Sequence, residues 1–249
     1  MELLCRVQSR TRATLARMTP VRRVPSRLQR PAASFSFDDF PRSALTAGGD
    51  LLARYGGKAT YYAAGAFCGA REDGVDYYDL DDLRAAHAAG HEVACHSFDH
   101  VRGSRITSDA LEDDLDRNAD FLRGTLGADL PLDTFAYPFG HVSPRTKRLM
   151  GRRFAASRGI QPGVNAGVLE LAELKAIPLE RRSWRPEQVE RLVEKASASR
   201  GWIIFFSHDV SDDPSPFGAT PGMLEHALMT VREAGLDILT VRDALARAA

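Results

Sequence analysis

The sequence predicts a single α/β domain folded as an irregular (β/α)7–8 barrel. Two observations carry this expectation. Short β-type runs alternate with helical segments seven or eight times, and no internal repeat, linker or low-complexity break interrupts them. At 249 residues the chain is also long enough to bury the core of one barrel. A doubly wound open sheet would give the same alternation, and periodicity does not separate the two.

Taken in order, residues 1–33 lack sustained periodicity and contain Pro20, Pro25 and Pro31. They read as a basic, partly disordered arm that adds at most an edge strand near residues 21–24. The barrel domain is then residues 34–249. It opens on Ser34-Phe35-Ser36-Phe37, a β-type run ending in Asp38-Asp39. A helix over 42–55 follows, with Leu45, Leu51 and Leu52 on its apolar side and Gly56-Gly57 closing it. Residues 59–64 form the next strand, 80–89 a helix stopped by Gly90, and 93–95 a short buried strand. The clearest helix spans 109–126, where Leu111, Leu115, Ala119, Leu122 and Leu126 recur at helical spacing. Asp109 with Glu112 resembles its capping box, and Asp113, Asp114, Asp116 and Asp120 read as a solvated outer face.

Residues 134–139 form another strand, and a helix begins near Pro144. Short β-type pieces at 154–157 and 176–179 precede a helix over 186–199. Trp202-Ile203-Ile204-Phe205-Phe206 is unbroken and apolar, as in a strand covered on both faces. A helix over 223–234, a strand over 237–241 and a helix over 243–248 finish the chain.

Composition excludes several function classes. Net charge is zero, but residues 1–30 carry eight Arg and one acidic residue, a balance of +7, which leaves the body at −7. A mildly acidic body offers no nucleic-acid platform. No apolar run approaches the roughly 18 residues of a membrane span. Arg6, Arg10, Arg12 and Arg17 interrupt any secretory apolar core, so the N-terminus reads as a basic extension or an organelle-type transit segment. Cys5, Cys68 and Cys95 form no C-x-x-C pair, and with no disulfide framework a cytoplasmic setting is expected. No glycine-rich nucleotide loop is present, and no feature points to a protein partner.

The chemistry centres on Glu92-Val93-Ala94-Cys95-His96-Ser97-Phe98-Asp99-His100. A buried strand delivers two histidines four residues apart, a spacing suited to a transition-metal site. Ser97 directly after His96 excludes the zinc-protease pattern, which needs Glu there. The other reactive residues also fall where apolar runs give way to loops: Asp38-Asp39, Tyr137-Pro138-Phe139-Gly140 and His208. Barrel enzymes keep their chemistry at the C-terminal ends of the strands. Adjacent carboxylates such as Asp38 and Asp39 repel unless a cation or hydrogen bonds relieve them.

Ser36-Phe37-Asp38-Asp39, His96-Ser97-x-x-His100, Tyr137-Pro138-Phe139-Gly140 and Phe206-Ser207-His208 together resemble, in order and spacing, the motifs of the polysaccharide deacetylases, the NodB-like carbohydrate esterases. The resemblance runs over about residues 34–245. It implies a barrel of that family's type and hydrolysis of an N-linked acetyl group on an amino-sugar oligosaccharide or polysaccharide. Asp39, His96 and His100 would hold one divalent metal ion, zinc first. Asp38 would be the general base and His208 the general acid. The backbone N–H near Phe139, with Tyr137 beside it, would bind the oxyanion or the substrate. Other linear amides, or a non-catalytic carbohydrate-binding relative, are the alternatives.

The chain also departs from the pattern. The family's third motif begins with Arg and ends in Tyr, and here Ala136 and Phe139 stand in those places. Arg181 or Arg182 could supply the missing charge from another direction. The fourth motif is not intact, so Trp184 is either its aromatic wall or core. His87, His91 and His226 read as surface or packing residues, while His141, beside the third motif, could touch substrate. Cys95 reads as a small buried residue. Tyr61, Tyr62, Tyr77 and Tyr78 would pack or line a sugar groove.

Overall fold

The computed structural model describes residues 14–16 and 18–249. The rest of the basic arm, with Cys5, Arg6, Arg10, Arg12 and Arg17, lies outside the described residues. The main sheet has eight strands: β1 (Ala32–Asp38), β2 (Ala59–Ala63), β3 (Glu92–Cys95), β4 (Thr134–Ala136), β5 (Ala156–Arg158), β6 (Ile177–Pro178), β7 (Trp202–Ser207) and β8 (Asp237–Ile238). Their order is β6-β7-β1-β2-β3-β4-β5, with β8 beside the start of β1, and every pairing is parallel. The sheet curls, and between β5 and β6 it closes with loop backbone rather than a full ladder. Gly159 N–H donates to Leu174 O at 2.9 Å and Ala176 N–H to Gln161 O at 3.0 Å. The architecture is therefore the irregular barrel and not the open doubly wound sheet.

All seven residues of β1 and all six of β7 are buried. Alternation sorts them onto two faces. Phe35, Phe37, Ile203 and Phe205 join the core shared with the outer helices. Trp202, Ile204 and Phe206 instead pack with Leu169, Leu171 and Leu174 and with the C-terminal helix. Ser34 and Ser36 are tolerated in β1 because their hydroxyls donate to Thr240 O and Phe205 O. The helices are α1 (Asp50–Arg54), α2 (Leu80–Ala88), α3 (Ser108–Leu126), α4 (Pro144–Arg153), α5 (Pro186–Ser199), α6 (Pro221–Glu233) and α7 (Val241–Ala248). The helix expected over 42–55 is in fact a π-helical turn, Ala44–Gly49, running into α1. Gly48 and Gly49 lie close against Phe37 and Tyr61, where an added Cβ would come within 3.0 and 2.9 Å of those rings' outer atoms. In the arm, Arg23–Pro25 pairs antiparallel with Val168–Glu170.

Two expectations about α3 are corrected. Its N-cap is Thr107, whose hydroxyl accepts from Ala110 N–H, and not Asp109. Asp114 is not on the solvated face, since it is 7% exposed and points inward. Acidic spacing alone cannot reveal an inward carboxylate, because the two main-chain N–H groups that stabilise it come from a distant loop.

At the N-terminal end of the barrel, the buried Glu92 carboxylate accepts from Thr60, Thr134 and the Arg242 N–H, tying β2, β3, β4 and α7 together. His91 next to it is buried and accepts the Ala59 N–H on Nδ1 at 2.9 Å. Burial, with Lys58 nearby, pushes its pKa down to about 4. In the unfolded chain the imidazole titrates near its ordinary value of about 6.5. Between pH 6.5 and 4 the unfolded state therefore binds a proton that the folded state does not, and stability falls as pH falls through that window. Denaturant titrations across this range should show the loss, and His91→Asn, which cannot take up that proton, should flatten the slope.

Candidate active site

Because all the strands run the same way, one end of the barrel gathers their C-termini, and there the chain departs from ordinary backbone. Asp39 (φ 62°), Phe40 (φ 56°), Ser97 (φ 61°), His100 (φ 50°) and Phe139 (φ 56°) all lie in the left-handed region, and none is glycine. Each such residue costs roughly 1–3 kcal/mol and persists only where its surroundings over-determine it. For the histidine loop those surroundings are Asp114 and Ser97. Asp114 accepts the N–H groups of Phe98 and Asp99 at 2.8 and 3.0 Å, and the Ser97 hydroxyl accepts from Val101 N–H at 3.2 Å. For the turn after β1 it is Phe40, stacked on Tyr61 at 4.3 Å and on Tyr78 at 4.9 Å.

Asp39 Oδ1 lies 3.3 Å from His96 Nε2 and 3.2 Å from His100 Nε2, and its Oδ2 lies 3.7 Å from His208 Nε2. His96 Nδ1 faces the Ala136 carbonyl at 2.9 Å. A carbonyl only accepts, so Nδ1 carries the proton and Nε2 presents a lone pair toward Asp39. His208 is oriented in the same way by the Phe217 carbonyl, 3.2 Å from its Nδ1. Burial, reinforced by His96, pushes the His100 pKa down to about 4, so that ring is neutral at pH 7.

Asp39 Oδ1 is buried and receives no hydrogen bond. Imidazole lone pairs aimed at a bare carboxylate oxygen repel one another unless a cation sits among them. The donor atoms of Asp39, His96 and His100 all lie within 4.8 Å of one another. Two imidazoles and one carboxylate suit a divalent ion with positions left open, so these residues fit a metal.

Asp38, buried beside this cluster, is ion-paired with Arg158 Nη2. Arg158 ends β5 and is itself buried. Its Nη1 donates to Gly159 O at 3.1 Å, and its guanidinium lies 5.2 Å from the Tyr62 ring and 4.8 Å from the Phe206 ring. The suggested Arg181 and Arg182 do not reach Asp38, because Arg181 binds Asp213 and Pro214 O, and Arg182 binds Glu180 and lies over Phe217. Sequence reasoning missed Arg158. The available signal was an arginine closing a short strand, the position the other reactive residues occupy.

Of the residues singled out in the sequence, the structure brings together Asp38, Asp39, His96, His100, His208 and Phe139. The Phe139 ring lies 4.3 Å from that of His100 and is half exposed. Tyr137 does not join them. It is buried, its hydroxyl donates to Ala172 O at 2.8 Å, and its N–H donates to Arg158 O. Trp184 packs edge-on against His226, so it is no wall of this site. Cys95 is buried, and burial pushes its thiol up to about 11, which suits packing. Tyr61, Tyr62 and Tyr78 are buried in the core. Tyr77 stacks on Phe67 at 4.6 Å, and the Phe67 ring lies 5.3 Å from His100. Asp209 accepts from the N–H and hydroxyl of Ser215, holding the loop that carries Phe217 over His208. Gly218 is required in that loop, since a Cβ there would fall 2.3 Å from Asp209 Oδ1.

The family model described as polysaccharide deacetylase matches residues 26–154. The chain belongs to the polysaccharide deacetylase family. Comparison with curated proteins finds no match. Among solved structures, it is similar to a family 4 carbohydrate esterase from Bacillus anthracis, with TM-score 0.61 and 16% identity over 94% of this chain and 91% of that one. It is similar to the Xyl-CE4 domain of a multidomain xylanase from the hindgut metagenome of Trinervitermes trinervoides, with TM-score 0.59 and 16% identity over 88% and 91%. A third, BA3943, is described as a CE4 family pseudoenzyme from Bacillus anthracis, with TM-score 0.58 and 14% identity over 88% of this chain and 66% of that one. At such identities these likenesses speak for the fold. The barrel is that of the polysaccharide deacetylases, and among its described residues no helix is long and apolar enough to cross a membrane.

Proposed function

We propose that this polysaccharide deacetylase hydrolyses the N-acetyl group of an amino sugar in a soluble, cytoplasmic oligosaccharide, using one divalent ion, zinc first, held by Asp39, His96 and His100. The observation that carries the reading is a pair of proton-handling residues on either side of the candidate metal cluster: Asp38, ion-paired with Arg158, and His208, whose Nε2 faces Asp39. When bound, a divalent ion supplies Lewis acidity, lowering the pKa of water and polarising an acyl oxygen.

The chain's own residues do the rest. Asp38 accepts the proton of the attacking water, and the Arg158 contact fixes which of its oxygens does so. His208 gives a proton from Nε2 to the departing amine, and the Phe217 carbonyl on its Nδ1–H stabilises the imidazolium that precedes this step. The Phe139 N–H, at the left-handed turn, serves the oxyanion, since the next two N–H groups are spent on Tyr137 O and Pro138 O. Exposed Phe139, Ile160 and Phe217 offer apolar faces for a sugar ring.

A carbohydrate-binding role without turnover is favoured by one observation, the pseudoenzyme among the similar structures. Retention of both Asp38 and His208 argues against it, since a binder needs neither a base nor an acid. Elemental mass spectrometry of the purified protein decides first. About one divalent ion per chain, lost in His96→Ala, is expected, followed by acetate release from N-acetylated chito-oligosaccharides. No ion after reconstitution with zinc would sink the hydrolytic reading and leave the binding one.

A further inference from the structure

We infer that the lip of the cleft beside His100 is an anion-recognition subsite built on Arg102 and Arg105, so that the preferred substrate is an amino sugar carrying a carboxylate or phosphate as well as its acetamide. This rests on the deacetylase reading and narrows its substrate class. The Arg102 guanidinium lies over the exposed Phe139 ring, 4.4 Å from its centroid, and the other side of the site begins 4.3 Å from that ring at His100. One aromatic ring therefore separates Arg102 from the candidate metal ligands, a span within the reach of a single substituted hexose.

The segment carrying these arginines is fixed in place. Arg145 reaches in from α4 and donates to Gly103 O and Ile106 O at 2.6 Å each and to the Ser108 hydroxyl at 3.0 Å. No carboxylate among the described residues forms an ion pair with Arg102, Arg105 or Arg145, although the same region neutralises its other charges. Asp99 takes both Nη atoms of Arg117 at 2.8 and 2.9 Å, and on the far side of the cleft Arg181 and Arg182 are paired with Asp213 and Glu180. His141, next to Phe139, registers the resulting positive field: burial first, then Arg102 and Arg105, push its pKa down. Glu72, Asp73 and the buried Asp209 act on Tyr77, which stacks on Phe67 beside His100. A substrate with one negative substituent is therefore drawn toward the arginine side of the site. Stacking on Phe139 keeps the Arg102 fork planar and presented, so little side-chain freedom is lost when it binds an oxyanion.

The test uses a matched pair of N-acetylglucosamine oligosaccharides, one neutral and one carrying a carboxymethyl ether, with the full-length protein, Arg102→Gln and Arg105→Gln. Binding is read by titration calorimetry and turnover by acetate release. The carboxylated ligand should bind about tenfold more tightly than the neutral one, as expected for a charge-assisted pair. That preference should weaken with salt and collapse in Arg102→Gln, with a smaller loss in Arg105→Gln. Equal binding of the two ligands, or a preference that survives both substitutions, overturns the subsite. Preferential binding without acetate release from either ligand would support the subsite and sink the deacetylase reading. Binding of neither would overturn both.

Discussion

Asp38→Asn is expected to lower the rate of acetate release by about 10²- to 10⁴-fold, the usual contribution of a positioned general base. The amide keeps the shape and one acceptor oxygen but cannot take the proton. Asp39, His96 and His100 are untouched, so metal content should match the wild type. The variant should also be less stable. Asp38 and Arg158 are both buried, and removing one charge leaves the other unpaired, which costs about 3–5 kcal/mol in comparable buried pairs. Steady-state acetate release with elemental analysis, alongside a denaturant titration, separates the two effects. Full activity in Asp38→Asn would remove this residue from the mechanism.

Arg158→Met is expected to be nearly as damaging, and its rescue is the more informative result. The substitution strands the Asp38 carboxylate in a buried setting, so a stability loss of about 3–5 kcal/mol should accompany a large fall in kcat. Across the sheet, Arg158 of β5 is the register partner of Ala136 of β4. Ala136 stands where the resemblance to the deacetylases calls for the arginine of the third motif. Neighbouring residues in register on parallel strands point to the same face, with backbones about 4.8 Å apart. A guanidinium from either strand can therefore meet the carboxylate at the end of β1. The double variant Ala136→Arg/Arg158→Ala should recover much of the activity that Arg158→Met loses, measured as kcat against KM. Failure of the swap in a folded, metal-loaded protein would mean that Arg158 acts through its contacts with Tyr62, Phe206 and Gly159 O rather than through its charge on Asp38.

The swap also explains what the sequence could and could not disclose. The strand ends announced themselves because an apolar run stopping at Asp38-Asp39, at His96 or at His208 places polar groups where a parallel barrel collects them. The alternation announced the barrel, and the rigid order of the motifs announced the family. Arg158 stayed hidden because its role depends on cross-strand register, which local spacing does not encode. Asp114 stayed hidden for a similar reason. On a helix bearing Asp113, Asp114, Asp116 and Asp120, nothing local tells the inward carboxylate from the solvated ones. Its partners, the Phe98 and Asp99 N–H groups, belong to a loop whose left-handed residues no sequence rule assigns to Ser97 or His100. Tyr137 misled in the opposite direction, since its motif lies at the site while its hydroxyl is spent on Ala172 O.

The strand that delivers both aspartates has a consequence for how the enzyme is made. The Ser36 and Ser34 hydroxyls bond to carbonyls 169 and 206 residues further along, and β1 is flanked by β7 and β8 from the last fifth of the chain. On a ribosome, β1 emerges early with much of one edge bare and must wait for those partners. Such long-range pairing is slow, and an unpaired apolar edge invites association with other chains. A nascent chain arrested before residue 200 should therefore bind metal more weakly than the full chain in equilibrium dialysis, because Phe40 already has Tyr61 and Tyr78 but the strand that ends in Asp38 still lacks its β7 partner.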